Sequence, residues 1–327
     1  MDRRFLLTSL ALAGPLGFAG CRPANVGPAK VRVQFGWLFD AHHSGFILAS
    51  EQGLYRDVGL QPSLQPGGTD TNAVKTVVSS GAEIGQAGGI EQIITALSQN
   101  LPIRSLAAIH QKTPHALIST SRNPVRQPSD LKGKKIAVAF GDAAEVLLRA
   151  LLSKSRISID EVTLVPFRFD LTPLLLGQVD VITGFRTDQP ATIRSKGQDP
   201  VTLAYDDFGI ESYGYTLFAK ATPSEVEHDQ MARFLTASRE GWTRAFNDPG
   251  AAIAALTKFV GGPVDKSVEE EKLKLLRDIM LDPTGKLAAW TATSERIKTV
   301  VGYLESAGQL KGISNTADLV QRAITAT

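Results

Sequence analysis

Trp37, Asp40 and His43 form the first group of side chains able to recognise a small molecule; they follow the alternating run Val31-Arg32-Val33-Gln34-Phe35. An indole face stacks on a flat ring, worth about 0.5–1.5 kcal/mol beyond the burial of area. Asp40 and His43 then suit ring nitrogens or exocyclic amines, although Asp40 in this place is equally a helix cap. A second group is Gly88-Gly89-Ile90-Glu91. Paired glycines let a ligand approach backbone donors at a helix start. Glu91 suits an amino group and opposes an anion, or else complements the helix dipole. Phe140-Gly141-Asp142-Ala143-Ala144-Glu145 repeats this arrangement further on. Phe140 is its candidate aromatic, and Glu145 is either a contact or a helix-start residue. Phe185 and Arg186 follow the apolar run Val179 to Thr183, and Arg186 suits a phosphate or carboxylate. Tyr213 completes the candidate set.

Covalent and metal chemistry find little support. No G-x-S-x-G, P-loop or H-E-x-x-H pattern occurs. His42 and His43 are adjacent and diverge, and His110 and His115 flank Lys112-Thr113-Pro114 without clustered cysteines, so no metal is expected. The chain has one cysteine, which excludes an internal disulfide or a thiolate zinc site. Lys plus Arg is 35 against 33 for Asp plus Glu, a balance that speaks against a nucleic-acid partner.

These residues need strands to end beside helix starts, and the chain supplies them. Strands are expected over 31–35, 60–64, a short stretch after Gly81, and 103–110, with helices over 44–56, 70–80 (capped by Thr69 or Asp70) and 90–99. The pattern then restarts with strands over 136–139, 162–166, 179–183 and 201–204 and helices over 143–153 and 171–176. Residues 215–220 run back toward the first unit. From Ser224 the chain reads as helices over 226–247, 251–259, 268–280, 294–307 and 317–324. This is an α/β chain of two lobes, 31–118 plus 216–327 and 119–215, with a cleft between them and a helical C-terminal segment. Ligands in such folds sit beyond the carboxyl ends of strands, and interlobe clefts can close by hinge motion.

Residues 1–20 read as a signal peptide: Arg3-Arg4, the apolar run Phe5 to Phe18, then Ala19-Gly20-Cys21. The arginine pair fits either the general or the twin-arginine export route. Phe18-Ala19-Gly20-Cys21 resembles a bacterial lipobox with Phe18 in place of the usual leucine. Cys21 is therefore expected to carry lipid, with residues 21–30 as its tether and the periplasm or cell surface as its location.

Five stretches together resemble the periplasmic solute-binding proteins of ABC importers, type II in fold, in the branch that binds thiamine pyrimidine precursors and has riboflavin, nitrate, sulfonate and taurine relatives. They are Trp37 to Gly45 with Ala49-Ser50-Glu51-Gln52-Gly53-Leu54-Tyr55 and Val58-Gly59-Leu60; Pro66-Gly67-Gly68 with Gly81-Ala82-Glu83-Ile84-Gly85; Leu131-Lys132-Gly133-Lys134-Lys135-Ile136-Ala137-Val138; Gly177-Gln178-Val179-Asp180-Val181-Ile182; and Asp206-Asp207-Phe208-Gly209-Ile210 with Tyr213-Gly214. His43 falls on the family histidine, His42 replaces the usual asparagine and Glu83 the usual aspartate. The resemblance implies a monomeric receptor for a small molecule, a permease and an ATPase as partners, and no cofactor. The leading ligand class is a flat heteroaromatic; a nitrate-, sulfonate- or taurine-type anion is the alternative. The fold also occurs in fungal pyrimidine synthases, which the resemblance implies carry a lysine and donor histidine after the second helix and a cysteine-rich iron motif. Here no Lys or His lies between Lys75 and His110, and no Cys follows Cys21, so an enzyme is not expected.

Overall fold

The structure, a computed structural model, describes residues 27–68, 71–141, 143–310 and 316–324. Cys21, the expected signal peptide and the cap candidates Thr69 and Asp70 lie outside the described residues. In chain order the elements begin with β1 (Ala29–Gln34), α1 (Ser44–Glu51), α2 (Leu54–Asp57), β2 (Leu60–Gln65), α3 (Ala73–Val78), β3 (Ile84–Ala87), α4 (Ile90–Ser98) and β4 (Ile103–Ala108). The second unit holds β5 (His115–Thr120), β6 (Lys135–Val138), α5 (Ala143–Lys154), β7 (Thr163–Pro166), α6 (Thr172–Leu175), β8 (Val181–Phe185), α7 (Gln189–Ser195) and β9 (Pro200–Ala204). The chain ends with β10 (Thr216–Lys220), α8 (Glu225–Asn247), α9 (Pro249–Val260), α10 (Lys266–Met280), α11 (Ser294–Ser306) and α12 (Thr316–Ala323).

The strands form two five-stranded sheets, ordered β2-β1-β3-β10-β4 and β7-β6-β8-β5-β9. Within each sheet the strands joined through helices pair in parallel, as β1 does with β2 and β3, and β6 with β7 and β8. One strand in each sheet runs against its neighbours, β10 in the first and β5 in the second. These are the strands next to the two crossings, whose backbones lie side by side: Ile109 donates to the Tyr215 carbonyl at 2.8 Å and Gly214 to that of His110 at 3.2 Å.

Period-two alternation fills both faces of each sheet. In β10, Leu217 and Ala219 enter one core with α1, α8 and α9, while Phe218 enters another with α4 and α11. In β8, Val181 packs with α5 and Ile182 with residues of α6 and α7. Helices α1 and α8 approach closely because neither has a side chain at the crossing. A Cβ on Gly45 would lie 2.3 Å from the Trp242 ring, and one on Gly241 2.3 Å from the Gly45 carbonyl.

Several boundaries differ from expectation, and two elements were not foreseen. The helix over 44–56 is two helices, broken where Gly53 adopts φ +78°. The helix over 70–80 begins at Ala73, where the Asn72 side chain accepts from the Lys75 amide at 2.9 Å. Ala29 and Lys30, expected in the tether, already pair with Leu60 and Gln61. Strand β5 and helix α7 were not expected.

Candidate functional site

A cleft of about 610 Å³ opens between the two sheets, lined from the first unit by Gly36, Trp37, Gln86 and Gly88 and from the second by Ala139, Gly141, Phe167, Phe169 and Phe185. These positions follow β1, β3, β6, β7 and β8 or end them, so the cleft lies at the carboxyl ends of strands, as an α/β fold dictates. Of the expected site residues, Trp37, Asp40, Gly88, Glu91 and Phe185 line it. Its described lining also includes His42, His115, Asp188, Gln189 and Tyr215, and contains no Lys or Arg.

Asp40 begins a tight turn over Ala41–His43 and accepts from the His42 amide at 3.0 Å. Its carboxylate also lies 3.1 Å from His42 Nδ1. His42 Nε2 in turn meets Thr187 Oγ1 of the second unit at 2.8 Å. Burial alone would raise the Asp40 carboxyl, but His42 and His43 more than offset this and hold it well below the usual carboxylate range. Burial likewise works to lower the His42 imidazole, and Asp40 more than offsets it, so His42 is raised.

Lys272 of α10 completes the cluster, 2.8 Å from Asp188, 2.9 Å from Glu269 and 3.8 Å from Asp40. The ammonium therefore joins a loop after β1 to a loop after β8.

Glu91 is buried in the first turn of α4 and accepts from Ser212 Oγ at 2.5 Å. Gly89 stands outside the cleft lining, and its role is spatial: a Cβ there would meet the Glu91 carboxylate at 2.4 Å. The bare backbone thus lets that carboxylate fold back beside its own helix start. Gly88 donates its amide to Gln92 Oε1 at 2.9 Å.

The other expected residues are placed elsewhere. His43 is buried among Phe35, Phe39 and Tyr215 rather than facing the cleft. Its Nδ1 lies 3.1 Å from Asp40 Oδ1 and 3.3 Å from the Asp40 amide, of which a given tautomer bonds one. Phe140 is half exposed outside the lining, while its neighbours Ala139 and Gly141 line it. Glu145 accepts from the Gly141 amide at 2.9 Å and pairs with Arg149 at 2.7 Å, which makes it a helix-start residue. Arg186 is committed to Asp206 at 3.0 Å and Asp278 at 3.5 Å and is not available to grip an anion in the cleft. Tyr213 is buried with Arg296 4.7 Å over its ring, and its hydroxyl accepts from the Thr293 amide at 2.9 Å. It anchors the start of α11, and Tyr215, two residues on, lines the cleft in its place.

The sequence reading missed His42, His115, Phe167, Phe169, Gln189 and Tyr215; it placed Asp188 with Phe185 and Arg186 at a strand's carboxyl end without naming it a ligand contact. Phe167 and Phe169 follow β7 directly, so the carboxyl-end rule that selected Phe140 and Phe185 also reaches them. Nothing local marks His115.

His110 lies behind the cleft, stacked on Tyr215 at 4.6 Å with neither ring nitrogen hydrogen-bonded among the described residues. Burial, with His42 and His43 adding to it, holds its imidazole well below the ordinary range. The unfolded chain takes up a proton below its pKa of about 6.5 and the folded chain does not, so His110 costs stability as pH falls below that value. His42, raised in the fold, contributes stability that is present below about 6.5 and lost as pH rises through its folded value. His110→Phe keeps the stack and loses no bond. It is expected to flatten the acid limb of the melting curve, gaining up to about 2 kcal/mol on wild type by pH 5. Parallel curves from pH 8 to 5 would show that His110 is not held neutral.

Comparison with known proteins places this geometry. Residues 40–252 match the family described as NMT1/THI5 like. The formylaminopyrimidine-binding protein of Halalkalibacterium halodurans is 22% identical over 314 residues, covering 93% of this chain and 94% of that protein. The 4-amino-5-hydroxymethyl-2-methylpyrimidine phosphate synthase of Schizosaccharomyces pombe is 23% identical over 153 residues, 46% of this chain and 43% of its own. Among solved structures, the periplasmic aliphatic sulphonate binding protein SsuA of Escherichia coli superposes with a TM-score of 0.70 at 15% identity, over 92% of this chain and 93% of that one. The fold is accordingly the two-sheet, type II fold of periplasmic binding proteins that the sequence led one to expect. With more than half of its length matched, the chain belongs to the NMT1/THI5-like family.

Proposed function

We propose that this protein is the extracytoplasmic binding component of an ABC import system and captures a small, flat heteroaromatic, of the thiamine-pyrimidine-precursor or riboflavin kind, between its two lobes. One observation carries the reading: the cleft wall combines Trp37 with the carboxylates Asp40, Glu91 and Asp188, and its described lining holds no Lys or Arg. An aromatic face takes a ring, and buried carboxylates take exocyclic amines. Asp40 and Asp188 share Lys272, and Asp40 also meets His42, so opposition to a sulfonate or nitrate comes chiefly from Glu91, buried in the same wall. The fold shared with a sulphonate-binding protein keeps that alternative in view, but Arg186, the side chain best suited to an anion, is paired with Asp206 and Asp278. No reaction is assigned: His42 serves Asp40 and Thr187, and the protein acts by binding and handing its ligand to a permease and ATPase. Isothermal titration of the wild type with formylaminopyrimidine, hydroxymethylpyrimidine, riboflavin, taurine and nitrate tests it. Tight binding of taurine or nitrate, with no heat from the heteroaromatics, would overturn the ligand class.

Export and anchoring belong to the same proposal. Ala19-Gly20-Cys21 closes the N-terminal apolar run, and Cys21 is the single cysteine of the chain. Cys21→Ser is expected to abolish partitioning into the detergent phase while ligand binding persists. A variant that stays with the membrane fraction refutes the lipid anchor.

A further inference from the structure

We infer that Phe169 is a specificity-determining residue, the second jaw of an aromatic clamp whose first jaw is Trp37; the inference rests on the heteroaromatic reading above. The two rings come from opposite units, Trp37 from the end of β1 and Phe169 from the loop after β7, and both line the cleft. Their centroids lie 5.3 Å apart with the planes at 45°. Phe167 supports Phe169 from behind at 5.3 Å.

Two further features single Phe169 out. It is 53% exposed, although burial is the usual fate of phenylalanine. Its backbone adopts φ +58°, a left-handed conformation that a bulky side chain rarely takes. A strained, exposed aromatic is maintained where ligand binding rather than folding selects it. Trp37, by contrast, is fixed: its carbonyl accepts from the Gly67 amide at 2.8 Å. A Cβ on Gly67 would sit 2.4 Å from Gly36, so this turn and the first jaw are pressed together.

The spacing defines what the clamp does. A ring held on both faces needs jaws roughly 7 Å apart, twice the contact distance of about 3.5 Å between stacked atoms. At 5.3 Å the two rings touch each other instead. Phe169 therefore rests against Trp37 in this structure, and a ring held between them requires it to give way and close on the ring's outer face. A planar ligand regains on both faces the contact that the jaws surrender. A tetrahedral sulfonate with a short alkyl chain presents no face to either jaw. Phe169 thus selects for flatness, while the carboxylates deeper in the cleft select for amines.

The test uses Phe169→Leu, which keeps bulk and drops the ring, Phe169→Tyr, which keeps the ring, and Phe169→Gly, which removes ring and strain together. Affinity for formylaminopyrimidine and riboflavin is measured by titration, and folding by thermal melting. Phe169→Leu is expected to bind the flat ligand that wild type binds about tenfold more weakly, and Phe169→Tyr within about twofold of wild type. Phe169→Gly is expected to melt no lower than wild type, since glycine adopts the left-handed backbone freely. Equal affinities for Phe169→Leu and wild type would overturn the clamp and leave the ligand class standing, as would a Tyr variant as weak as the Leu variant. A wild type that binds no heteroaromatic would overturn the ligand class and the clamp with it.

Discussion

Replacing Trp37 by alanine is expected to weaken binding of a flat heteroaromatic by roughly 30- to 1000-fold, equivalent to about 2–4 kcal/mol. Trp37 stands on the cleft wall and its ring meets the Phe169 ring, whereas Trp242 and Trp290 are buried in the core. The substitution therefore removes ligand contact area and a ring–ring interaction without opening a cavity in the core. The melting midpoint should stay close to that of wild type. A tryptophan that served packing would behave oppositely: a large fall in midpoint, with binding lost only through unfolding. Titration and melting of the same preparation separate the two. Unchanged affinity in a folded Trp37→Ala protein would remove stacking from the account of the site.

What the sequence made legible here follows from periodicity and chain direction. The end of β1 delivers Trp37, the end of β3 delivers Gly88 and Glu91, and the end of β8 delivers Phe185, because strand ends in an α/β fold face the cleft wherever the crossovers lie. Orientation within a turn was not legible. Residues 41–43 form a three-residue turn in which successive side chains leave about 120° apart, so His42 enters the cleft and His43 the core. His43, which matches the family histidine, thus lies buried outside the lining, and its neighbour His42 lies on the wall. Arg186 and Tyr213 sit near the correct strand ends but are claimed by partners distant in sequence, Asp278 for the first and Thr293 with Arg296 for the second. Strand β5 was hidden because all its residues are buried, which erases the alternation of a half-exposed strand. Helix α7 was hidden because Pro190 reads as a turn signal, although proline suits the first turn of a helix.

Lys272→Met should give the largest loss of stability in the molecule, about 3 kcal/mol or more, because it removes one charge from a cluster that needs all of them. Lys272 is 8% exposed and faces three carboxylates, Asp188, Glu269 and Asp40. Burial alone would lower its ammonium, but these three more than offset that and raise it. Its stabilising contribution is complete below the unfolded lysine value of about 10.4 and is lost only as pH rises through a still higher folded value, so it is intact at neutral pH. Methionine fills the volume and leaves the carboxylates without their cation. Burial, with the Asp40 charge adding to it, already raises Glu269 even though Lys272 and the Ala41 amide work the other way. Without Lys272 it should rise further and take up a proton under mild acid. The penalty should therefore shrink as pH falls from 7 to 5, the reverse of the trend that His110 imposes on wild type. Asp188→Asn added to Lys272→Met should recover part of the loss, since the second change neutralises a charge the first left unpaired. Asp40 follows β1, Asp188 follows β8 and Lys272 lies on α10, so this ammonium, behind the cleft wall, ties an element of each sheet to the other. A Lys272→Met protein that melts within about 2 °C of wild type, corresponding to roughly 1 kcal/mol in a chain of this size, would mean that the carboxylates find water or protons instead and that the tie is dispensable.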